Sequence, residues 1–517
     1  MAGIVENILL NVYFLIFVAF VIIIYFYVKY VFSYWERNNV LYKKPIFPFG
    51  NFTPVFMSRQ SFGEFLLEMY QSITVDFIGL YAMVRPIFFV RNLELCRNIL
   101  VKDFHFFHDR GVYVDETVDP LSGHLFSLSG EKWKQLRAKL TPTFTSGKLK
   151  AMFQTLVDCA NSLEKKLKAE VDHNTEIEVR DLMARYTTNV IASVAFGIEV
   201  DSINEPNCSF RHYGKKAFAP TLKNAIRNAL FLILPKIAKL IKLKTVESDY
   251  EKFIFSMVKQ TIDHREKNNI QRKDFMQLLL QLRNTGNVDR GDEWNFTSTK
   301  DELKKLSINE LAAQVHVFFL AGFETSSTLM SFFLYEMARN HDCQEKVQKE
   351  IDEVLGSHDG KWSYEAIMEM KYLEDCIDET LRMYPPIPLL NRECTTDYLI
   401  PGTKTIIKRG TAVLIPCIGF HYDPKYFENP MIFKPERFKT ENQITSFNHL
   451  SFGDGPRACI GIRLGKMQAK IGLAIILLNF KIQLGKKLQH SKIQYAPESI
   501  VPLPIGGLHL KFSHRKL

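Results

Sequence analysis

The sequence predicts a mainly α-helical protein with small β-sheets, an α+β body preceded by one transmembrane helix. Long stretches of the chain carry apolar residues at helical spacing, with few Gly or Pro breaks. Short apolar pieces between turn residues predict the small sheets. The third observation is an uncharged N-terminal stretch that is long enough to cross a bilayer.

Each predicted element follows from these patterns. The helical period covers residues 131–171, 180–196, 245–284, 307–340, 342–355, 364–384 and 461–477. The β-like pieces are 87–90, 398–400 and 412–415. Residues 286–305 are polar and of mixed charge, so we expect a surface loop there.

Composition bounds the domain organisation. The 517 residues are 46% hydrophobic, which allows one large core, and no stretch of linker quality interrupts the chain after about residue 50. We therefore expect a signal anchor at 1–30, a Pro-containing linker at 31–50 and a single globular domain at 51–517. The net charge of +10 comes without Arg-rich arms, which argues against a nucleic-acid partner and favours acidic partners or anionic membranes. The eight cysteines form no C-x-x-C pair, so neither a zinc site nor a disulfide framework is expected.

The N-terminal stretch indicates an uncleaved anchor. Residues 7–28 carry no charge, and the basic start and small-residue cleavage point of a secretory signal are missing. Positive charges follow the stretch at Lys29, Arg37, Lys43 and Lys44, so the body should face the cytosol. Trp35 is expected at the membrane interface.

The most informative cysteine is Cys459, in the segment 452–461, just before a predicted helix. A helix N-terminus stabilises a thiolate, the form that binds iron, and the flanking glycines let the backbone approach a flat macrocycle. A lone cysteine is more often a buried apolar residue. The segment also fits a dinucleotide fingerprint from Gly453, but Pro456 interrupts it and too few residues follow for a βαβ unit.

The same segment carries a family resemblance. Phe452, Gly455, Arg457, Cys459 and Gly461 fill the pattern F-x-x-G-x-R-x-C-x-G, which resembles the signature of the cytochrome P450 superfamily. The resemblance implies the P450 fold, with haem b between the central long helix and the cysteine loop. It makes Cys459 the axial ligand of the iron, and it places Phe452, Gly453, Gly461 and Ala321 against the haem.

Other segments agree with that resemblance. It implies that four residues hold the haem propionates. They are Arg457 of the cysteine segment, Trp133 and Arg137 of a second segment, and Arg392 of a third. It also implies that lysines near Trp133 receive an acidic reductase. The pair Glu379 and Arg382 would form a structural cluster with Arg437 of a P-E-R-F segment. A second E-x-x-R spelling, Glu336 to Arg339, is expected to be an exposed ion pair.

The central helix, 307–340, contains Glu324 and Thr325 in apolar surroundings. Polar groups in such surroundings normally have a hydrogen-bond partner or a functional role. The threonine hydroxyl can bond back to a carbonyl one turn earlier, and Ala321 and Gly322 would leave room for a small molecule. The resemblance implies that Glu324 and Thr325 deliver protons to iron-bound dioxygen. It also implies that the helix face near His316 and Phe319 lines the substrate pocket.

These features predict a membrane-bound haem-thiolate monooxygenase of the endoplasmic reticulum. By resemblance to animal microsomal, especially insect detoxification, members it takes electrons from NADPH through cytochrome P450 reductase, with cytochrome b5 as a further candidate partner. Its substrates would be lipophilic xenobiotics, such as plant toxins or insecticides, or endogenous lipids and hormones. Two alternatives stay open: a haem-thiolate isomerase or dehydratase, and a non-catalytic haem or lipophile carrier. Both tend to dispense with the Glu324 and Thr325 pair, so its presence favours the monooxygenase.

Overall fold

The computed structural model describes residues 2–173, 175–286, 288, 305–439, 448–490 and 492–515. In these residues helices α1 to α19 are, in chain order, Ala2–Phe32, Tyr34–Arg37, Thr53–Phe56, Phe62–Ser72, Leu93–Arg97, Gly130–Leu140, Ser146–Val171, Val179–Ile191, Ser209–Phe218, Leu222–Leu232, Pro235–Leu240, Ser248–Asn268, Phe275–Thr285, Ile308–Arg339, His341–Ser357, Tyr364–Glu369, Lys371–Met383, Cys417–His421 and Ile462–Asn479. Most of the expected loop at 286–305 lies outside the described residues.

Strands β1 to β9 are Phe77–Ala82, Arg85–Val90, Glu176–Glu178, Leu390–Glu393, Tyr398–Leu399, Ile406–Ile407, Ala412–Ile415, Phe480–Leu484 and His509–His514. They form a four-stranded sheet in the order β1-β2-β7-β4, a three-stranded sheet β3-β9-β8 and a two-stranded sheet β5-β6. The pair β2 and β7 is parallel, and β4 runs antiparallel to β7 with Arg392 opposite Val413. The first sheet therefore fixes Arg392 in a rigid frame. The mainly α fold with small sheets is confirmed.

Helix α14 lies in the main hydrophobic core, packed against α8, α17 and α19. It begins with a capping box, in which the Glu310 amide donates to Ser307 Oγ at 3.2 Å and the Ser307 amide donates to Glu310 Oε2 at 2.8 Å. Its most apolar window is 67% buried, whereas the apolar span Leu10–Phe32 of α1 is 0% buried in the protein. By length and composition both could cross a membrane, but α14 is a core helix and only α1 leaves its apolar surface outside.

Three expected helices are divided in the structure. Residues 131–171 form α6 and α7, separated at Pro142, because proline lacks the amide donor that a helix interior needs. Residues 245–284 form α12 and α13, and α12 is terminated by its C-cap Asn269, which has a φ of 51°. Residues 364–384 divide into α16 and α17. Helical period alone did not reveal these breaks.

The expected linker at 31–50 packs onto the first sheet from Trp35 onward. Trp35 is 2% exposed, and its indole Nε1 donates to the Leu80 carbonyl at 2.9 Å. The expectation that Trp35 sits at a membrane interface is therefore wrong. The indole ring packs directly against the backbone of Gly79 in β1. A Cβ at this position would lie 2.4 Å from Trp35 Cγ. The packed body thus begins before residue 50.

Candidate active site

The cysteine loop is held by its own backbone. The Cys459 amide donates to the Phe452 carbonyl at 2.9 Å, and the Ala458 amide donates to the Gly455 carbonyl at 3.0 Å. Gly455 has a φ of +70°, and a Cβ there would lie 2.0 Å from the Leu100 carbonyl oxygen. Glycine is therefore required at this point, and the loop approaches the chain at Leu100 without a side chain between them.

Cys459 lies just before helix α19, within one residue of the position expected from the sequence. Helix α19 begins at Ile462 after Gly461, so Cys459 lies outside the first turn. Its side chain is accessible, whereas the five cysteines 96, 343, 376, 394 and 417 are buried. Because protein surrounds the recess in which the sulfur lies, burial raises the pKa of the Cys459 thiol. The Gly461 amide opposes this rise in pKa, as do the charges of Arg137 and Arg110.

Buried arginines gather near the thiol. Burial and, after it, the charge of Arg392 together lower the pKa of Arg457 to about 9, and burial lowers that of Arg392 to about 10. Burial also lowers the pKa of Arg137, with the Cys459 thiol opposing. The Arg457 guanidinium lies 3.5 Å from a carboxylate oxygen of Asp109. One carboxylate does not balance the charge of this group of arginines, so further anions are needed as partners.

Arg110 belongs to this group, and the sequence reasoning did not select it. Burial lowers its pKa well below the ordinary value, and the charges of Arg392 and Arg457 lower it further. The Nε atoms of Arg110 and Arg392 are buried without a hydrogen-bond partner among the described residues. The arginine in the segment 107–111 was visible in the sequence, but the burial of its Nε atom was not. Two carboxylates, which haem carries as propionates, would satisfy this donor set, so the residues fit haem.

Trp133 and Arg457 are in direct contact. The Arg457 guanidinium carbon lies 4.0 Å from the centre of the Trp133 ring on α6, the geometry of a cation–π pair. Arg457 also donates to the carbonyls of His108 and Leu128, both at 2.8 Å. These contacts fix the orientation of the guanidinium. The structure thus brings Arg457, Trp133 and Asp109 together.

On α14 the two polar residues point in different directions. The Thr325 hydroxyl donates to the Ala321 carbonyl one turn earlier at 2.6 Å, as expected from the sequence. The Glu324 carboxylate is buried and forms an ion pair with Arg180 of α8. Ala321 is exposed, but a Cβ at Gly322 would lie 2.2 Å from Ile191 Cδ1. The expectation that Gly322 leaves room for a small molecule is therefore wrong, because the Ile191 side chain of α8 fills that space.

The central helix and the cysteine loop are joined through shared neighbours. Gln468 of α19 donates to Ser326 of α14, and Tyr186 donates to the Gln468 carbonyl at 2.9 Å. The Phe144 ring lies between the two elements: it is 3.8 Å from a Cβ built at Gly461, and its centre is 5.8 Å from that of Phe318. Helix α14 therefore packs against α19, the helix that follows the loop.

Glu379, Arg382 and Arg437 form a buried cluster. The Arg382 guanidinium donates to both carboxylate oxygens of Glu379 at 2.8 and 2.9 Å, and Arg437 Nε donates to Glu379 Oε1 at 3.0 Å. The remaining donors of Arg382 reach carbonyls, so each charge has partners. The second E-x-x-R pair is also present at 3.0 Å, but Glu336 is fully buried and accepts from the Tyr384 hydroxyl at 2.6 Å. The expectation of an exposed pair is therefore wrong for Glu336.

The expected pocket wall near His316 is part of the core. The Nδ1 atom of His316 lies 2.8 Å from the Tyr250 hydroxyl oxygen. Phe319 packs edge-on against Phe196 and Phe210. A groove of about 1020 Å³ opens elsewhere, between α9 and α12, and is lined by residues such as Phe253. None of the residues predicted to hold the haem or to deliver protons lines it, so we do not assign the substrate to this groove.

The comparisons with known proteins agree with this arrangement. The family model described as Cytochrome P450 matches residues 42–512. The chain is 40% identical over 512 residues to a probable cytochrome P450 6d5 of Drosophila melanogaster, covering 98% of this chain and 100% of the relative. It is 39% identical to cytochrome P450 6d3 of Musca domestica, with 95% and 97% covered, and 39% identical to cytochrome P450 6a2 of Drosophila melanogaster, with 93% and 95% covered. The chain belongs to the cytochrome P450 family and is a P450 monooxygenase, an oxidoreductase for which the family implies a haem cofactor.

Proposed function

We propose that this protein is a membrane-anchored P450 monooxygenase that hydroxylates or epoxidises lipophilic small molecules, using dioxygen and electrons from NADPH. The observation that carries the proposal is the set of buried and half-buried arginines beside an accessible thiol, with Thr325 on α14, which packs against the helix that follows the loop. In this proposal Cys459 ligates the haem iron, and Arg457, Trp133, Arg137, Arg392 and Arg110 hold the propionates. The bound haem supplies the site at which dioxygen is activated.

The protein's own contribution on α14 is control of protons. The Thr325 hydroxyl proton is held by the Ala321 carbonyl, which leaves the lone pairs of Oγ1 for an incoming donor. Glu324 is held by Arg180, whose side chain is 23% exposed, against 5% for Glu324. A proton from solvent can therefore reach the Glu324 carboxylate when this ion pair opens. Thr325 would then hold that proton at Oγ1, the position from which the resemblance implies proton delivery.

The anchor and the electron donor belong to the same proposal. Helix α1 carries the 23-residue span Leu10–Phe32, and the basic residues after it favour a cytosolic body on the endoplasmic reticulum. Lys134 on α6 and Arg463 on α19 are exposed basic groups near the loop, and they suit an acidic reductase or cytochrome b5. The apolar and aromatic core around α14 suits lipophilic substrates, either xenobiotics or endogenous lipids and hormones.

The test is the absorption spectrum of the reduced, carbon monoxide-bound protein, because thiolate ligation moves the main band strongly to the red. We expect the red-shifted band in the wild-type protein and its loss in Cys459→Ala. A band typical of histidine ligation in the wild type, or a retained band in Cys459→Ala, would refute the ligand assignment. Substrate-stimulated NADPH consumption with purified reductase separates the monooxygenase from an isomerase, a dehydratase or a carrier.

A further inference from the structure

His421, at the end of α18, is fully buried between the Glu379 cluster and the chain that enters the cysteine loop. Its ring Nδ1 lies 3.0 Å from the Arg382 carbonyl oxygen, and its Nε2 lies 3.0 Å from the Leu450 amide nitrogen. The imidazole therefore spans from helix α17 to the start of the loop. Nothing in the reaction described above uses this residue.

The two partners decide the tautomer. A carbonyl oxygen only accepts, so Nδ1 must carry the proton that is donated to Arg382. An amide N–H only donates, so Nε2 must be unprotonated and accept from Leu450. Burial and, after it, the charge of Arg382 together lower the pKa of His421 to about 3, so the ring stays neutral. Both nitrogens are satisfied in one fixed orientation.

A path of hydrogen bonds and short stretches of backbone runs through this ring. Arg382 Nη1 donates to the His421 carbonyl at 2.8 Å, so His421 is held by Arg382 at two points. On the other side, the Leu450 carbonyl accepts from the Gly453 amide at 2.9 Å. Gly453 is joined to Phe452, whose carbonyl accepts from the Cys459 amide at 2.9 Å. The path thus connects the buried ion cluster to the cysteine backbone.

We propose that His421 is a positioning residue that sets the cysteine loop through the acceptor at Nε2. The inference rests on the proposed ligation of iron by Cys459. A second contact, from Ser451 Oγ to the Leu381 carbonyl at 2.9 Å, keeps the loop beside α17 when His421 changes. Loss of the Nε2 acceptor should therefore misplace the sulfur without detaching the loop.

The experiment compares His421→Asn with His421→Gln in the full-length, haem-loaded protein. An Asn amide reaches the position of Nδ1 and keeps the Arg382 contact, whereas a Gln amide reaches the position of Nε2 and keeps the Leu450 contact. His316→Asn is the matched control, since His316 is 2% exposed, makes its hydrogen bond to Tyr250 and does not touch the loop. The readouts are the fraction of the red-shifted carbonyl band, the midpoint potential of the iron and the melting temperature.

We expect His421→Asn to lower the ratio of thiolate to non-thiolate carbonyl forms by about tenfold, the effect of one lost buried hydrogen bond, and to shift the midpoint potential. His421→Gln should keep both readouts, and His316→Asn should change the melting temperature alone. An unchanged band and potential in His421→Asn would overturn the inference. Failure of both His421 variants to keep the band would also overturn it, because ring volume would then matter more than the acceptor. A wild type without the red-shifted band would instead refute the proposed function.

Discussion

Glu324 of α14 and Arg180 of α8 form an ion pair between residues that lie 144 positions apart in the chain. The carboxylate is buried and the guanidinium is partly exposed, so the pair joins the interior of the central helix to solvent. Arg180 Nε has no hydrogen-bond partner among the described residues, so one donor of the guanidinium is unsatisfied. A pair that is buried on one side only can open more easily than a fully enclosed pair.

Arg180→Gln should alter the coupling of NADPH use to product formation. Without its cation the Glu324 carboxylate is buried and unpaired, so it will be protonated more readily and will exchange protons with solvent differently. We expect the amount of product per NADPH to change several-fold, together with a loss of stability of about 2 kcal/mol. The measurement is NADPH consumption against product, with purified reductase.

The matched control for this change is Arg185→Gln on the same helix. Arg185 pairs with Asp181 at 2.6 Å and has the same 23% side-chain exposure as Arg180, but it does not contact α14. Its replacement should leave the coupling ratio as it is in the wild type. Equal coupling in the two variants would contradict a role for the Arg180 pair in proton supply.

Thr325→Ala should keep the red-shifted carbonyl band and uncouple NADPH use from product. The hydroxyl is removed while the helix stays intact, because Thr325 only bonds back to Ala321 within the same helix. We expect product per NADPH to fall roughly tenfold or more. Thr328→Ala is the control, one turn further along α14, where the buried hydroxyl oxygen has no partner in the described residues. A fall of the same size in Thr328→Ala would show that helix packing, and not the Thr325 hydroxyl, controls coupling.

The sequence predicted those features that depend on local spacing. The Thr325 back-bond is a contact between residues i and i−4, and Arg382 pairs with Glu379 at i−3, so both follow from helical geometry. The cysteine loop was equally visible, because its glycines and Cys459 are near neighbours in the chain. Long helices followed from period, except where single residues such as Pro142 divide them.

The partners of these residues could not be predicted in the same way. No local pattern indicates that Arg180 meets Glu324, or that the space at Gly322 is taken by Ile191. The burial of Arg110 depends on how the segment before α6 folds over the loop. Contacts between distant segments are set by packing of the whole core, which leaves no periodic signal in the sequence.

Arg110→Leu should change haem binding and the stability of the haem-free protein in opposite directions. Removal of this half-buried cation relieves repulsion from Arg392 and Arg457 in the haem-free protein, so we expect a gain in its free energy of unfolding on the order of 1 kcal/mol. With haem present the same change removes a propionate donor, and haem should transfer to an excess of acceptor protein roughly tenfold faster.

Exposed Arg463 on α19 provides the control for the change at Arg110. It donates to Ser146 Oγ at 3.2 Å, outside the group of buried arginines. Arg463→Leu should leave both the haem transfer rate and the stability of the haem-free protein close to the wild-type values. A haem transfer rate in Arg110→Leu that equals the wild-type rate would exclude Arg110 from the propionate site.

Asp375 on α17 should make the stability of the protein depend on pH. Burial and, after it, the charges of the nearby acids Asp378, Glu374 and Glu350 together raise the pKa of its carboxyl to about 6. In the unfolded chain this pKa is near 3.8. Between these values the folded state binds more protons than the unfolded state, so the free energy of unfolding falls as pH rises through this window. Asp375→Asn removes the ionisation, and at pH 7.5 it should stabilise the protein by about 1 kcal/mol after allowance for solvent screening.

The measurement is urea unfolding of the wild type and Asp375→Asn at pH 7.5 and at pH 5. The advantage of the variant should shrink at the lower pH, because the wild-type carboxyl is then mostly protonated in the folded state. Glu353→Gln is the control, since Glu353 lies on α15 with 67% of its side chain exposed and only a distant lysine contact of 3.7 Å. It should give the same difference from the wild type at both pH values. An advantage of Asp375→Asn that is constant with pH would mean that the change acts through packing or hydrogen bonding, and not through the charge that burial makes unfavourable.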